Sequence, residues 1–528
     1  MRADGNVRKP PAMQNGTGDT LGMELSFDHC YKAVLSRDAR FDGHFFTAVT
    51  STGIYCRPIC PARTPQPQNV RFYVSAGAAE AAGFRACRRC RPESAPGSPD
   101  WNVRADLVGR ALRLIAEGVV DSDGVDGLAR RLAVSTRHIH RELVAAVGAG
   151  PLALARTRRA QTARLLIDQT EMALTEVAFA AGFNSVRQFN ATMQMAFGCP
   201  PGELRRRERP GDAGQGWVGL RLRYRPPFAG DDLLAHFARR ALPAIEDVTA
   251  GCYRRSISLG QSVGVLELQP APSANEVVAR LRLDDLRDLG LAVARCRQLF
   301  DLDVDPQPVA DVLGADPALV AAQPGLRVPG AFDGWELAAR AVLGQQVSLA
   351  GARTLGSRLV AALGAPLPDP VGGLTHLFPS AAVVAEADLA GLGILPSRAT
   401  TLRALAQLVA SGALVLDRGA NRDQVQQQLL ALSGVGPWTA TYIAMRALGD
   451  PDAFPVTDLA LRRAAARLGL GSDMRSLTAR AEAWRPWRAY AAIYLWRSLT
   501  HVTAEEEARW MDSTTAVARR PAMDGAMR

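Results

Sequence analysis

A chain of 528 residues is too long for a single hydrophobic core, and its length suggests three or four domains. Its 48% hydrophobic and 22% charged residues are ordinary for soluble globular domains, and no apolar run reaches the roughly 18 residues of a membrane span. The formal charge of +10 comes from basic residues that are almost all arginine, whose forked guanidinium suits phosphate and base edges, so a nucleic-acid partner is expected. Arginine-heavy genomes produce the same bias in unrelated proteins, and charge alone does not decide the matter.

Residues 1–22 are polar, rich in Gly and Asn, and lack the apolar stretch of a signal peptide; they read as a disordered leader, with Met23 an alternative start. The expected location is cytoplasmic, at the nucleoid.

Eight cysteines follow. Cys56 and Cys60 form one close pair, Cys87 and Cys90 another, with 26 residues between the pairs. In a reducing compartment such pairs read as ligands of one tetrahedral Zn²⁺. Spacing alone fits a purely structural zinc ribbon equally well. Cys30, Cys199, Cys252 and Cys296 are scattered and read as buried small hydrophobes.

The strings FDGHFFTAVTSTGIYCRPICPART, NVRFY and AAGFRACRRCRPE around the cysteines resemble the amino-terminal domain of the Ada methyl-acceptor family. The resemblance implies that Cys56 is a nucleophile taking a methyl group irreversibly from a DNA phosphotriester. It also implies that Arg63 and Arg85 contact the DNA backbone; Arg88, Arg89 and Arg91 add positive charge, or form a solvated face.

The Pro-rich stretch Arg91–Asp100 marks a domain boundary. Beyond it, VDGLARRLAVSTRHIHRELVAAVG reads as helix, tight turn, helix. Leu128, Ala129, Leu132 and Val134 form its packing face, Ser135 caps the second helix, and Thr136, Arg137, His140 and Arg141 point toward a major groove. A second unit follows in TEVAFAAGFNSVRQFNATMQMAFGCPPGELRRR, with Gly182 at the turn and Ser185, Arg187, Gln188 and Asn190 facing outward. AGF-x-S-x-x-x-F ending in FG-x-x-P-x-x-LR resembles the AraC-type regulators, although Thr192 and Gln194 stand where basic residues are frequent. A regulator of that kind implies promoter DNA and RNA polymerase as partners.

After the linker Glu208–Gly216, WVGLRLRYRPPF alternates like a strand and opens an α+β unit. YRRSISLGQSVGVLELQP is strand-like too, and the chain reads helical from Asn275 onward. FDGWELAARAVLGQQVSLAGA and LSGVGPWTATYIAMRALGDPDAFPVTDLALRRA resemble the helix-hairpin-helix glycosylases, nearest the AlkA-type 3-methyladenine enzymes; Trp217 to Leu326 resembles their amino-terminal domain more weakly. Gly434 and Gly436 allow a tight turn whose N–H groups approach a phosphate. The resemblance adds a monovalent cation at the hairpin carbonyls.

Asp458, at family spacing from the hairpin, is the expected catalytic carboxylate, or a helix N-cap, roles that are compatible. Trp438 stands where lyase-type relatives carry a Schiff-base lysine, and no cysteine follows Cys296 to hold an iron-sulfur cluster, so a water-using glycosylase is implied. Trp438, Tyr442 and Trp496 are candidates for stacking an electron-poor base, or ordinary core. Gln345, Gln346 and Ser348 read as structural or DNA-proximal, and Arg398 as a backbone contact.

The expected architecture is therefore a multidomain α+β chain. It comprises a zinc-bound α/β domain over 23–97, a double helix-turn-helix over 98–208, an α+β domain over 217–326, an all-α helix-hairpin-helix domain over 327–508, and a frayed tail over 509–528. A regulator whose glycosylase half merely docks on DNA is the competing reading. An O6-alkylguanine acceptor is disfavoured, because its Pro-Cys-His-Arg string is absent.

Overall fold

The structure is a computed structural model that describes residues 26–92, 107–205, 216–260, 262–320, 324–471 and 473–500. The leader, most of both expected linkers and the tail lie outside these residues.

The first unit opens with the helix Phe27–Ser36, capped by Ser26, whose side chain accepts from the His29 N–H. Four short strands follow: β1 (Phe46–Val49), β2 (Ile54–Cys56), β3 (Val70–Tyr73) and β4 (Arg85–Ala86), in the order β3-β1-β2-β4. β2 and β4 are parallel, with Tyr55 opposite Ala86, so the residues that follow in register are Cys56 and Cys87. The sheet itself therefore brings one cysteine from each pair together.

Two helix-turn-helix units flank the 19-residue helix Pro151–Gln169. In the first, Leu128, Ala129 and Leu132 are buried, and Ser135 caps Thr136–Val147 by accepting from the His138 N–H at 3.2 Å. In the second, Gly182 adopts φ +89°, and Ser185 caps Val186–Phe197. Both second helices end in left-handed glycines, Gly148 and Gly198, which avoid the Cβ clash of that conformation.

The third unit is a five-stranded antiparallel sheet of order β5-β9-β8-β7-β6: β5 Val218–Arg223, β6 Glu246–Thr249, β7 Cys252–Leu259, β8 Ser262–Ala271 and β9 Glu276–Leu283. Val218, Leu220 and Leu222 face inward while Arg221 and Arg223 face out, as the alternation requires. β9 corrects the expectation of helix from Asn275. Val277, Ala279 and Leu281 are wholly buried on one face, and the segment pairs with both β5 and β8. The helix begins only at Leu289.

Helices dominate from Gly334, with one exception. Pro366, Pro368 and Pro370 cannot sustain a helix, and the segment instead forms β10 (Pro366–Val371) and β11 (Leu374–His376), turned at Gly372 with φ +57°. This hairpin lays Leu367 and Leu374 against Val265 of β8.

The units are not beads on a string. One apolar core runs from Phe46 and Tyr55 of the zinc-binding unit through Leu166, Phe183 and Phe189 of the helix-turn-helix region to Leu220 and Leu266 of the sheet. Polar contacts reinforce it. Arg225 donates to the Asp42 carbonyl at 2.6 Å and the Asp303 carbonyl at 3.0 Å, and His44 Nε2 lies 3.0 Å from Asp305 Oδ2. The first helix-turn-helix region binds the helical domain through Arg110 to the Gly419 carbonyl and Arg113 to the Arg418 carbonyl.

Candidate functional site

The four sulfurs of Cys56, Cys60, Cys87 and Cys90 lie within 4.8 Å of one another. Four thiolates on Zn²⁺ at about 2.3 Å stand about 3.8 Å apart, so the quartet closes on the ion with a small inward shift. A turn seats Cys60, whose N–H bonds the Arg57 carbonyl at 3.1 Å, and the Arg57 N–H donates to Cys90 Sγ at 3.3 Å. Without an ion the four thiols hydrogen-bond one another and share their protons, which lowers Cys60 and Cys87 and raises Cys56 and Cys90. By contrast, burial pushes Cys30 and Cys296 up to about 12 and Cys252 to about 11, so these thiols stay protonated at neutral pH. Cys30, Cys199 and Cys296 are buried, whereas Cys252 is half-exposed at a strand start.

The Arg57 guanidinium, which carried no role in the sequence reading, is buried. It pairs with Asp42 and donates to the Cys90 carbonyl at 3.2 Å. Asp42 is the residue whose carbonyl Arg225 holds, so the cysteine centre is braced against the sheet unit.

Cys56 is half-exposed and lines a cavity of about 470 Å³ with Arg63, Arg85, Arg88 and Arg89. Arg63, Arg85, Arg88 and Arg89 are all exposed. The Arg85 guanidinium lies against Gly198, where an added Cβ would stand 2.2 Å from Nη1. Arg88 donates to the Phe197 carbonyl at 3.3 Å, and Arg91 pairs with the buried Asp168. Part of the expected DNA-facing charge thus fastens the cysteine unit to the second helix-turn-helix. Thr136, Arg137, His140 and Arg141 are exposed on one second helix, and Ser185, Arg187, Gln188 and Asn190 on the other. Thr192 is buried and Gln194 exposed.

The second site opens beside the turn Leu432–Gly436. Gly434 has φ +87°, and a Cβ there would lie 2.1 Å from Thr401 Oγ1. Gly436 differs: φ is −95° with open space around it, and it caps the helix Pro437–Arg446 with no side chain in the way. Gln345 Nε2 braces the turn through the Gly434 carbonyl and Thr439 Oγ1, both at 2.9 Å. Arg398, expected beside DNA, is instead buried and donates to the Gln345 carbonyl. Ser348 caps the helix Leu349–Leu363, and Gln346 takes a left-handed φ of +53°.

Trp438 and Tyr442, one helical turn apart, stack at 5.1 Å with ring planes 9° apart, and Trp496 meets Tyr442 edge-on at 6.4 Å. They line a cavity of about 780 Å³ with Asp458. Asp458 accepts three hydrogen bonds: Trp438 Nε1 at 2.8 Å, Trp496 Nε1 at 3.1 Å, and the Leu461 N–H at 2.7 Å as N-cap of Leu459–Arg467. The two tryptophans therefore orient the carboxylate as well as present ring faces. Tyr442 accepts from Arg446 at 2.5 Å; burial works to raise its phenol, but Arg446, Arg240 and Arg340 outweigh it and hold the group below its usual value.

These two centres, one of thiols beside DNA-reader helices and one of a carboxylate behind a helix-hairpin-helix, define a fusion of an Ada-type half with a base-excision half. Family descriptions match in that order: "Metal binding domain of Ada" over 29–93, "Helix-turn-helix domain" over 128–207, "AlkA N-terminal domain" over 219–333, and "HhH-GPD superfamily base excision DNA repair protein" over 339–489. A Mycobacterium tuberculosis protein named "Probable bifunctional transcriptional activator/DNA repair enzyme AlkA" is 52% identical over 486 residues, covering 91% of this chain and 98% of its own. The chain belongs to the family of that protein. "DNA-3-methyladenine glycosylase 2" of Escherichia coli is 32% identical over 278 residues, 52% of this chain and 95% of its own. "Bifunctional transcriptional activator/DNA repair enzyme Ada" of E. coli is 38% identical over 159 residues, 30% of this chain and 43% of its own. No helix among the described residues is long and apolar enough to cross a membrane.

Proposed function

We propose that this chain repairs alkylated DNA by two chemistries and converts one of them into a transcriptional signal. The observation that carries the reading is Asp458, half-buried in the aromatic cavity and held by two indole N–H groups and a helix N-terminus. A flipped base enters between the rings, and the carboxylate stabilises the positive charge that grows on the sugar as the glycosidic bond breaks. Water adds to the anomeric carbon, the glycosidic electron pair leaves with the cationic base, which departs neutral, and the water's proton passes to Asp458 or to solvent. With Trp438 in place of a lysine, the reaction stops at base release.

In the amino-terminal half, Cys56 and Cys60 are the half-exposed members of the quartet, in a cavity that also holds Arg63, and the family resemblance selects Cys56 as the acceptor. Its sulfur attacks the methyl carbon of a phosphotriester, the C–O bond breaks, and the electron pair returns to the phosphate as a diester anion. A bound Zn²⁺ keeps the sulfurs ionised at neutral pH. Methylation removes one negative charge from the centre, so DNA meets less repulsion there and binds more tightly. The exposed faces of Thr136–Val147 and Val186–Phe197 then hold a promoter. The domain limits given above belong to this reading. The promoter-bound regulator acts on RNA polymerase, a monovalent cation sits at the hairpin carbonyls, and the protein works at the nucleoid.

The test uses the full chain on methylated duplex DNA. Release of 3-methyladenine by the wild type, lost in Asp458→Asn, together with a 14-Da gain confined to the peptide of Cys56, is the expected result. DNA binding without either reaction would leave a regulator with a docking scaffold.

A further inference from the structure

Asp458 is held by unequal means on its two oxygens. Oδ1 accepts from the Leu461 N–H and the Trp496 indole, whereas Oδ2 accepts from the Trp438 indole. The Trp438 ring is half-buried at the start of its helix, so the bond to Oδ2 depends on what keeps that ring in plane. Trp438, Tyr442 and Arg446 stand at four-residue intervals on the helix Pro437–Arg446, a spacing that lines side chains along one face. Tyr442 lies against the indole at 5.1 Å and 9°, already in stacking contact, so it backs Trp438 instead of sandwiching a base with it. Arg446 closes the column. It donates to the Tyr442 hydroxyl at 2.5 Å, and its guanidinium carbon lies 5.4 Å from the ring centroid.

Arg446 is itself anchored outside the helix. It is 4% exposed, and its rigid fork also donates to the carbonyls of Pro329 and Gly330, in the segment joining the α+β unit to the helical domain. Gly330 sits directly on the α+β unit. Its N–H bonds the Leu299 carbonyl at 2.9 Å, and a Cβ there would lie 2.1 Å from the Gln298 carbonyl oxygen. Arg240 of the same unit approaches the Tyr442 hydroxyl. The far end of the column is therefore fixed to main chain, which gives the tyrosine and the indole behind it a rigid stop. We propose that Arg446 is a positioning residue for the catalytic carboxylate, acting through Tyr442 and the Trp438 indole to fix Asp458 Oδ2 beside the sugar. This inference rests on the glycosylase reading.

The test is a double-mutant cycle on the full chain: wild type, Arg446→Met, Trp438→Phe and the pair. Each is read by single-turnover release of 3-methyladenine across a range of enzyme concentrations. Arg446→Met keeps an adaptable apolar stem and removes the fork. It is expected to lower the maximal rate about tenfold, the scale for a carboxylate displaced by a fraction of an ångström, with half-saturation within about twofold. In the Trp438→Phe background, where the link to Oδ2 is already cut, the same change is expected to cost less than about twofold. Should Arg446→Met fail to fold, as judged by thermal melting, Tyr442→Phe takes its place in the cycle. It keeps the stacked ring, deletes the hydroxyl, and is expected to slow release about fivefold, again without adding to Trp438→Phe.

Effects that add in the cycle overturn the inference and leave Arg446 a structural residue. So does an unchanged rate, or a half-saturation that shifts as much as the rate, which would put the arginine against the base itself. No release of 3-methyladenine by the wild type overturns the glycosylase reading along with it. Release by the wild type with an additive cycle overturns this inference alone.

Discussion

Trp438→Phe separates the two tasks of that side chain. The substitution keeps one aromatic ring able to stack on Tyr442, which lies 5.1 Å away and nearly coplanar, and removes the N–H that reaches Asp458 Oδ2 at 2.8 Å together with the second ring of the indole. A hydrogen bond to a charged acceptor is worth about 1.5–3 kcal/mol, but the half-buried site lets water take the vacated place, so the loss of stability should be about 1 kcal/mol. The carboxylate retains the Trp496 indole at 3.1 Å and the Leu461 N–H at 2.7 Å, both on Oδ1, and is freed on its other side. A carboxylate that strays by a fraction of an ångström from the reacting carbon should slow the chemistry about ten- to hundredfold. The assay is single-turnover release of 3-methyladenine across a range of enzyme concentrations, which separates the maximal rate from half-saturation. The rate should fall while half-saturation stays within about twofold, because a stacking ring is preserved. An unchanged rate, or a half-saturation that shifts as much as the rate, would refute the orienting role and leave Trp438 as a stacking platform.

Gly434→Ala meets Thr401 at a positive φ and should lower the thermal stability of the helical domain by about 1–2 kcal/mol, whereas Gly436→Ala, in open space, should not; equal melting of the two variants refutes the turn argument. Chelation should release one zinc per chain and expose four further thiols to a thiol reagent; zinc release with no new reactive thiol would show that the quartet of Cys56, Cys60, Cys87 and Cys90 is not the site. His236, with its folded pKa held below the ordinary 6.5, gives a pH dependence of known sign. Below about pH 6.5 the unfolded chain takes up a proton that the folded chain refuses, so stability falls with falling pH, by up to about 1.4 kcal/mol per pH unit. Urea melts from pH 7 to pH 5 should lose this component in His236→Phe; parallel curves for the variant and the wild type would contradict it.

Much of the candidate chemistry was legible because it is local. Cysteine spacing, the Ser135 and Ser185 caps, the turn at Gly182 and the alternation of Val218–Arg223 are all decided by near neighbours. The strand Glu276–Leu283 had an alternating pattern in view, yet Ala, Arg and Leu are good helix formers. Pairing with β5 and β8 overrides that preference, and no window of the sequence contains those partners. Gly436 earned its place in the reading by motif, while the geometry shows that Gly434 is the position needing a glycine.

The sequence by itself determined which side chains are present for chemistry: four thiols at ligand spacing, one carboxylate after a hairpin, and three rings near it. The tertiary structure decided what each is free to do. Arg91, identical in charge to Arg63, is spent on the buried Asp168 of the helix Pro151–Gln169, and Arg88, though exposed, bonds the Phe197 carbonyl. Both tryptophans turn their N–H groups onto Asp458. Local preference and periodicity follow from interactions across a few residues. Hydrogen-bond partners and burial depend on surfaces brought together across hundreds of residues, and only the packed core fixes those.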